Sequence, residues 1–165
     1  MPGGSSLWIV AAAGLILAVV AWKALRSWGA RVRAAERTDA RVRDACLAAI
    51  AIAQDFRIAV QESVFAKEGA PGASLFARRI DAFAADAGPF PGREEIAGVL
   101  GEIGGEADRM SRGGASYLAS RARQFWEGWA GTREVWVRHH SRDACRGRRG
   151  VWRDPPVRPA PAAAA

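Results

Sequence analysis

Residues 7–22 read Leu-Trp-Ile-Val-Ala-Ala-Ala-Gly-Leu-Ile-Leu-Ala-Val-Val-Ala-Trp, without a single charge. No other feature constrains the chain so strongly, because a run this long and this apolar has few places to go. The 18 residues from 5 to 22 make about 27 Å of helix at about 1.5 Å per residue, close to the roughly 30 Å of a bilayer's hydrocarbon core. Lys23 and Arg26 can snorkel to cover the shortfall. Trp8 and Trp22, with Trp28 one further turn and a half along, stand where aromatic belts meet the headgroups. A helix buried in a soluble core rarely lacks polar residues over such a length. A cleaved signal peptide would want basic residues before the apolar run, and this sequence has none there. A permanent single-pass transmembrane helix over residues 7–22 is the reading that follows.

Orientation comes from the flanks. Residues 1–6 carry no Lys or Arg, whereas Lys23, Arg26, Arg31, Arg33 and Arg37 follow the span. The positive-inside rule puts the C-terminal side in the cytoplasm and the short N-terminal tail outside. Arginine makes up 22 of the 24 basic residues and asparagine is absent, a bias that points to a GC-rich bacterial genome and hence to the inner membrane. Within the span, Gly14 and Ala18 form a small-xxx-small pair that could bring two such helices together as a homo-oligomer.

The net charge of +7 invites a nucleic-acid reading, but its distribution opposes one. The basic juxtamembrane segment, residues 23–33, and the tail, residues 141–165, each carry +4, while residues 34–140 carry −1. A folded nucleic-acid binder usually wears its basic stripe on the fold itself. Nucleic acid is therefore an unfavoured partner.

Residues 34–140 read as a helical domain of about four helices. The first has no Pro or Gly from Ala34 to Glu68, and Val42, Cys46, Ala49, Ala53, Phe56 and Val60 form one stripe. Ser74 would cap a second helix bearing Phe76, Ile80 and Phe83, stopped at Gly88 and Pro89. Glu94 and Glu95 open a third at its positive end, with Ile96, Leu100, Ile103, Ala107 and Met110 on one face. Ala97, Gly101 and Gly105 on this helix make a flat side that would admit a close helix neighbour. Gly113 and Gly114 then break the chain, and Ser116 would cap a fourth helix towards Arg138. Its stripe of Leu118, Ala122, Phe125, Trp129 and Trp136, flanked by Trp126, reads first as core. Phe125, Trp126, Trp129 and Trp136 are also the candidate interaction surface, should that helix face a partner or the membrane. No period-two strand pattern occurs.

The tail combines Arg, Pro, Gly and Ala at a density that does not bury a core, and is expected to be disordered. Chemistry is sparse. Two cysteines, Cys46 and Cys145, cannot build a four-thiol zinc site, and His139 and His140 sit together near the tail. Neither a phosphate-binding loop nor a catalytic triad can be placed, so no enzyme, cofactor or metal is expected. No motif resembles a known family. The expected protein is all-α: a membrane-anchored helical adaptor or accessory subunit that binds a partner protein or packs against a larger complex. Its rivals are a small membrane-active protein of lysis or phage type and a tethered nucleic-acid binder using the tail.

Overall fold

Long tracts of helix-forming residues, punctuated by Gly and Pro, produce helices joined by short links. The computed structural model describes residues 5–62, 65, 72–148, 150 and 152–159, with backbone alone for residues 5–16 and 72. Among the described residues there are four α-helices: α1 (Ser5–Gln61), α2 (Gly72–Asp86), α3 (Arg93–Ala119) and α4 (Arg123–Cys145). The described residues contain no strand. The chain divides into two units, residues 1–38 and 39–165.

In the first unit, the backbone is helical from Ser5 onward. Leu17, Val20, Trp22, Leu25 and Trp28 all stand exposed, Trp22 at 67%, as do Ala18, Lys23 and Arg26. Most of the expected span, including Trp8 and Gly14, lies outside the residues whose side chains are described. Among the described residues, no helix is long and apolar enough to cross a membrane.

The second unit is built around the periodic faces of α1 and α3. Val42, Cys46, Ala49, Ala53, Phe56 and Val60 on α1 are all buried, as are Ile96, Leu100, Ile103, Ala107 and Met110 on α3. Phe56 is the hub of an aromatic cluster, 5.7 Å from Phe76, 5.9 Å from Phe65 and 5.9 Å from Trp129. Gly88, at φ +58°, reverses the chain after α2. Arg93 at the start of α3 donates to the Ala84 carbonyl near the end of α2. α2 begins at Gly72, so Ser74 lies inside its first turn and does not cap it.

Three expectations are corrected here. Ala97 packs half-buried against the core, but the close approach on α3 is not made by Gly101 and Gly105. A Cβ on Gly101 would meet nothing within 4 Å, and one on Gly105 only the end of Arg109. The tight position is Gly104, where a Cβ would lie 2.8 Å from Ile80 Cδ1 of α2. Spacing by four located the glycines but not the side of α3 that α2 covers.

The fourth helix starts at Arg123 rather than after Ser116. The Gly113–Gly114 break is a kink, with Gly114 at φ 52° and ψ −143°, and helix resumes to Ala119. The buried face of α4 is then Trp126, Ala130, Glu134, Val137, Ser141 and Cys145. Phe125 is 43% exposed, and Trp129 and Trp136 are half-buried. The expected stripe is thus rotated by about one residue. The inward side includes Glu134 and Ser141, and a count of apolar residues passes over both.

The tail differs most. α4 continues to Cys145, and residues 152–159, without regular secondary structure, are held by side chains of the helices. Arg138 donates to the Pro155 carbonyl, Gln54 to that of Pro156 and Arg57 to that of Arg158. Arg158 pairs with Asp55 and Arg148 with Asp39. Proline has no N–H to offer a ladder, but its carbonyl accepts as well as any. A Pro-rich segment can therefore be held by side-chain donors alone, without a core of its own.

Candidate functional site

The chemistry of this chain gathers on one side of the α3–α4 pair. The kink at Gly114 makes the geometry possible. A Cβ on Gly113 would lie 2.3 Å from Tyr117 Cβ, so only glycine lets the turn carrying Tyr117 fold back so closely. Tyr117 thereby reaches Glu106, one of few buried carboxylates, and donates its hydroxyl to Oε1 at 2.7 Å. Arg109 donates to the other oxygen, Oε2, from Nε at 2.7 Å. The bond to Glu106 and, less strongly, burial push the Tyr117 hydroxyl above its ordinary pKa, so it stays a donor at neutral pH.

The facing wall comes from α4 and the link before it. Arg121 lies over the Phe125 ring at 4.5 Å and near Trp126 at 5.7 Å. Arg133 lies over Trp129 at 4.7 Å and bonds Glu102 of α3 at 2.8 Å. Trp126 packs on Tyr117 at 5.3 Å and on Phe125 at 5.2 Å. Between the two walls is an open cleft of about 420 Å³. Its lining holds three arginines against two glutamates. Trp126 is 3% exposed, and its indole N–H has no acceptor. Buried donors are normally satisfied, so an orphan N–H in a cleft wall stands out.

A second cleft of about 440 Å³ lies between α1 and α2, lined by apolar residues such as Ile52 and Phe83 together with Arg41, Asp44, Arg79 and Asp86. None of the buried polar atoms that lack a partner lines it. The α3–α4 cleft is the stronger candidate on that ground, although it is slightly smaller.

Three of the four residues expected as an interaction surface meet here. Phe125 is exposed, Trp126 is buried, and Trp129 lines the cleft half-buried beside Arg133. Trp136 is elsewhere, its ring stacked on His140 at 3.5 Å while His140 Nδ1 contacts the Trp136 carbonyl at 3.0 Å. Sequence reasoning missed Glu102, Glu106, Arg109, Tyr117, Arg121 and Arg133. Arg121 and Arg133 fall outside the apolar stripe, and no spacing rule links Glu106 to Tyr117 across a kink.

Cys46 and Cys145 form a second local feature. Both are buried and unoxidised, and they lie within hydrogen-bond reach of each other, with Ser141 beside Cys46. Burial, then the neighbouring Cys145, push the Cys46 thiol up to about 12. Such a thiol is a poor nucleophile at neutral pH. His139 pairs with Asp143 at 3.3 Å. Among the described residues, no group of three or more His, Cys, Asp or Glu is placed to hold a metal ion.

The site therefore defines a class only by its chemistry: a helical protein with an arginine-lined aromatic cleft. Compared with known protein families, characterised proteins and solved structures, the chain matches none.

Proposed function

We propose that the protein is a single-pass inner-membrane adaptor. Its N-terminal helix lies in the bilayer, and its helical body binds a partner protein on the cytoplasmic side. The α3–α4 cleft is the docking surface. The observation that carries this reading is the character of the cleft: aromatic rings and guanidinium groups converge on it, and Phe125 remains 43% exposed at its rim. Arginine and aromatic residues are enriched at the centres of protein interfaces. The membrane half rests on the charge-free residues 7–22 and on the exposure of Leu17, Val20, Trp22, Leu25 and Trp28. Such a run of uncovered apolar side chains calls for lipid or protein cover.

The tethered nucleic-acid reading loses support. Arg148 and Arg158, two of the six tail arginines, are engaged with Asp39 and Asp55.

The test uses the tagged full chain in its native membrane. An Ala77→Cys variant places a thiol on the exposed side of α2. That thiol should resist a membrane-impermeant reagent in intact cells and react after lysis. Mild-detergent purification should bring down one stoichiometric partner, lost in a Phe125→Ala/Arg121→Ala variant that stays in the membrane. Labelling in intact cells, or a partner indifferent to the double variant, overturns the reading.

A further inference from the structure

The charges in the α3–α4 cleft leave one cation over. Glu102 takes Arg133, and Glu106 takes Arg109 and the Tyr117 hydroxyl. Arg121 is different. Its guanidinium lies on the faces of Phe125 and Trp126, and among the described residues no carboxylate pairs with it. Stacking satisfies the flat face of a guanidinium but leaves the N–H groups along its edge free to bind. The indole N–H of Trp126, in the same wall, also has no acceptor.

We propose that this cleft receives a single carboxylate carried beside an aromatic or apolar group, with Arg121 and the Trp126 indole N–H as its donors. The inference rests on the adaptor reading above and specifies what the partner presents: an acidic side chain or chain terminus next to a hydrophobic one. A monoanion fits because three arginines against two glutamates leave one positive charge. A phosphate dianion would overshoot that balance and bring its second charge towards Glu102 and Glu106. A carboxylate is planar and meets a guanidinium edge with two parallel bonds. Phe125, exposed at the rim, and the half-buried Trp129 offer the apolar neighbour a surface.

The experiment uses the full chain in detergent micelles and three probes: N-acetyl-phenylalanine, its neutral primary amide, and phenyl phosphate. Binding is read from the indole N–H resonance of Trp126 in nitrogen-15 NMR spectra, assigned by its loss in Trp126→Phe. The acid should shift that resonance saturably, and the amide should bind at least about tenfold more weakly, as befits a lost charge-assisted bond. Phenyl phosphate should also bind more weakly than the acid. Arg121→Gln, on an exposed residue, should reduce acid binding to the level of the amide, and Arg121→Lys should restore part of it. Equal binding of acid and amide, tighter binding of phenyl phosphate, or an unchanged Arg121→Gln variant each overturns the carboxylate assignment. Purification of the Arg121→Gln chain separates this inference from the reading beneath it. A partner retained by that variant, in a protein that ignores the acid, defeats the carboxylate alone. Acid binding without any partner makes a free aromatic acid the occupant and defeats the adaptor.

Discussion

Arg57 on α1 donates its Nε to Glu134 Oε2 on α4 at 2.5 Å, and the same guanidinium donates from Nη2 to the Arg158 carbonyl at 2.9 Å. Glu134 also accepts from Arg138, which in turn donates to Pro155. One carboxylate, 4% exposed, thus organises two arginines that hold the tail. Breaking a buried pair by removing one partner costs about 3–5 kcal/mol, because the other charge is left without compensation. Glu134→Ala should lower stability by that order and free residues 155–158. Limited trypsin digestion would show it, through faster cleavage after Arg153 than in the parent. Unchanged cleavage would mean that the tail is held by something other than these arginines.

The N-terminal helix carries a separate prediction. An arginine at the centre of a membrane helix costs about 2.5–3.5 kcal/mol, against a gain of about 0.3–0.6 kcal/mol for leucine. Leu15→Arg with Leu17→Arg therefore adds roughly 6–8 kcal/mol to the cost of insertion. The double variant should leave the membrane fraction on alkaline washing, while the parent stays. Retention of the variant would assign anchoring to another segment.

Trp126 and Phe125 are neighbours with opposite fates. Trp126 is buried against Tyr117, so Trp126→Ala should cost about 3–5 kcal/mol, as aromatic truncations in a core do. Phe125 is 43% exposed, and Phe125→Ala should stay within about 1 kcal/mol of the parent. Thermal melts of the two variants should differ clearly, with Trp126→Ala much the lower. The reverse order would restore the face on which Phe125, Trp129 and Trp136 point inward.

Two glycines of α3 also part company. At Gly101 an added Cβ touches nothing, so Gly101→Ala should stabilise by about 0.5–1 kcal/mol through reduced chain entropy in the unfolded state. At Gly113 the methyl would collide with Tyr117, and Gly113→Ala should lower the melting temperature. A destabilised Gly101→Ala would point to a helix neighbour on that side of α3.

The raised Cys46 thiol gives a pH dependence. The unfolded thiol ionises near its ordinary value of 9.0, whereas the folded one holds its proton up to about 12. Between those values the native state binds more protons than the unfolded state, so stability falls as pH rises through that window. The slope from this one group is at most about 1.4 kcal/mol per pH unit. Below pH 9 its contribution is intact. Denaturant unfolding at pH 8 and pH 10.5 should show a loss that is smaller in Cys46→Ala. An identical loss in that variant would assign the effect to Tyr117 or Cys145, both of which are also shifted upward.

The apolar faces of α1 and α3 were legible in the amino-acid order because each is a single helix meeting a core. Burial there follows 3.6-residue periodicity, and every member of both expected stripes is buried. Helical class and the main Gly and Pro breaks were legible for the same local reason. The charge asymmetry around residues 7–22 is likewise a property of sequence alone. Contacts between distant parts of the chain decided the rest. The inward face of α4 includes Glu134 because Arg57, 77 positions earlier, neutralises it. The tail is held because Gln54 and Arg57 offer donors about 100 positions away. The cleft exists because a kink at Gly114 turns Tyr117 back onto Glu106. Hydrophobic periodicity reports which side of a helix avoids water. It carries no information about which distant charge will make a polar side chain tolerable inside, and the position of Glu134 depends on that pairing.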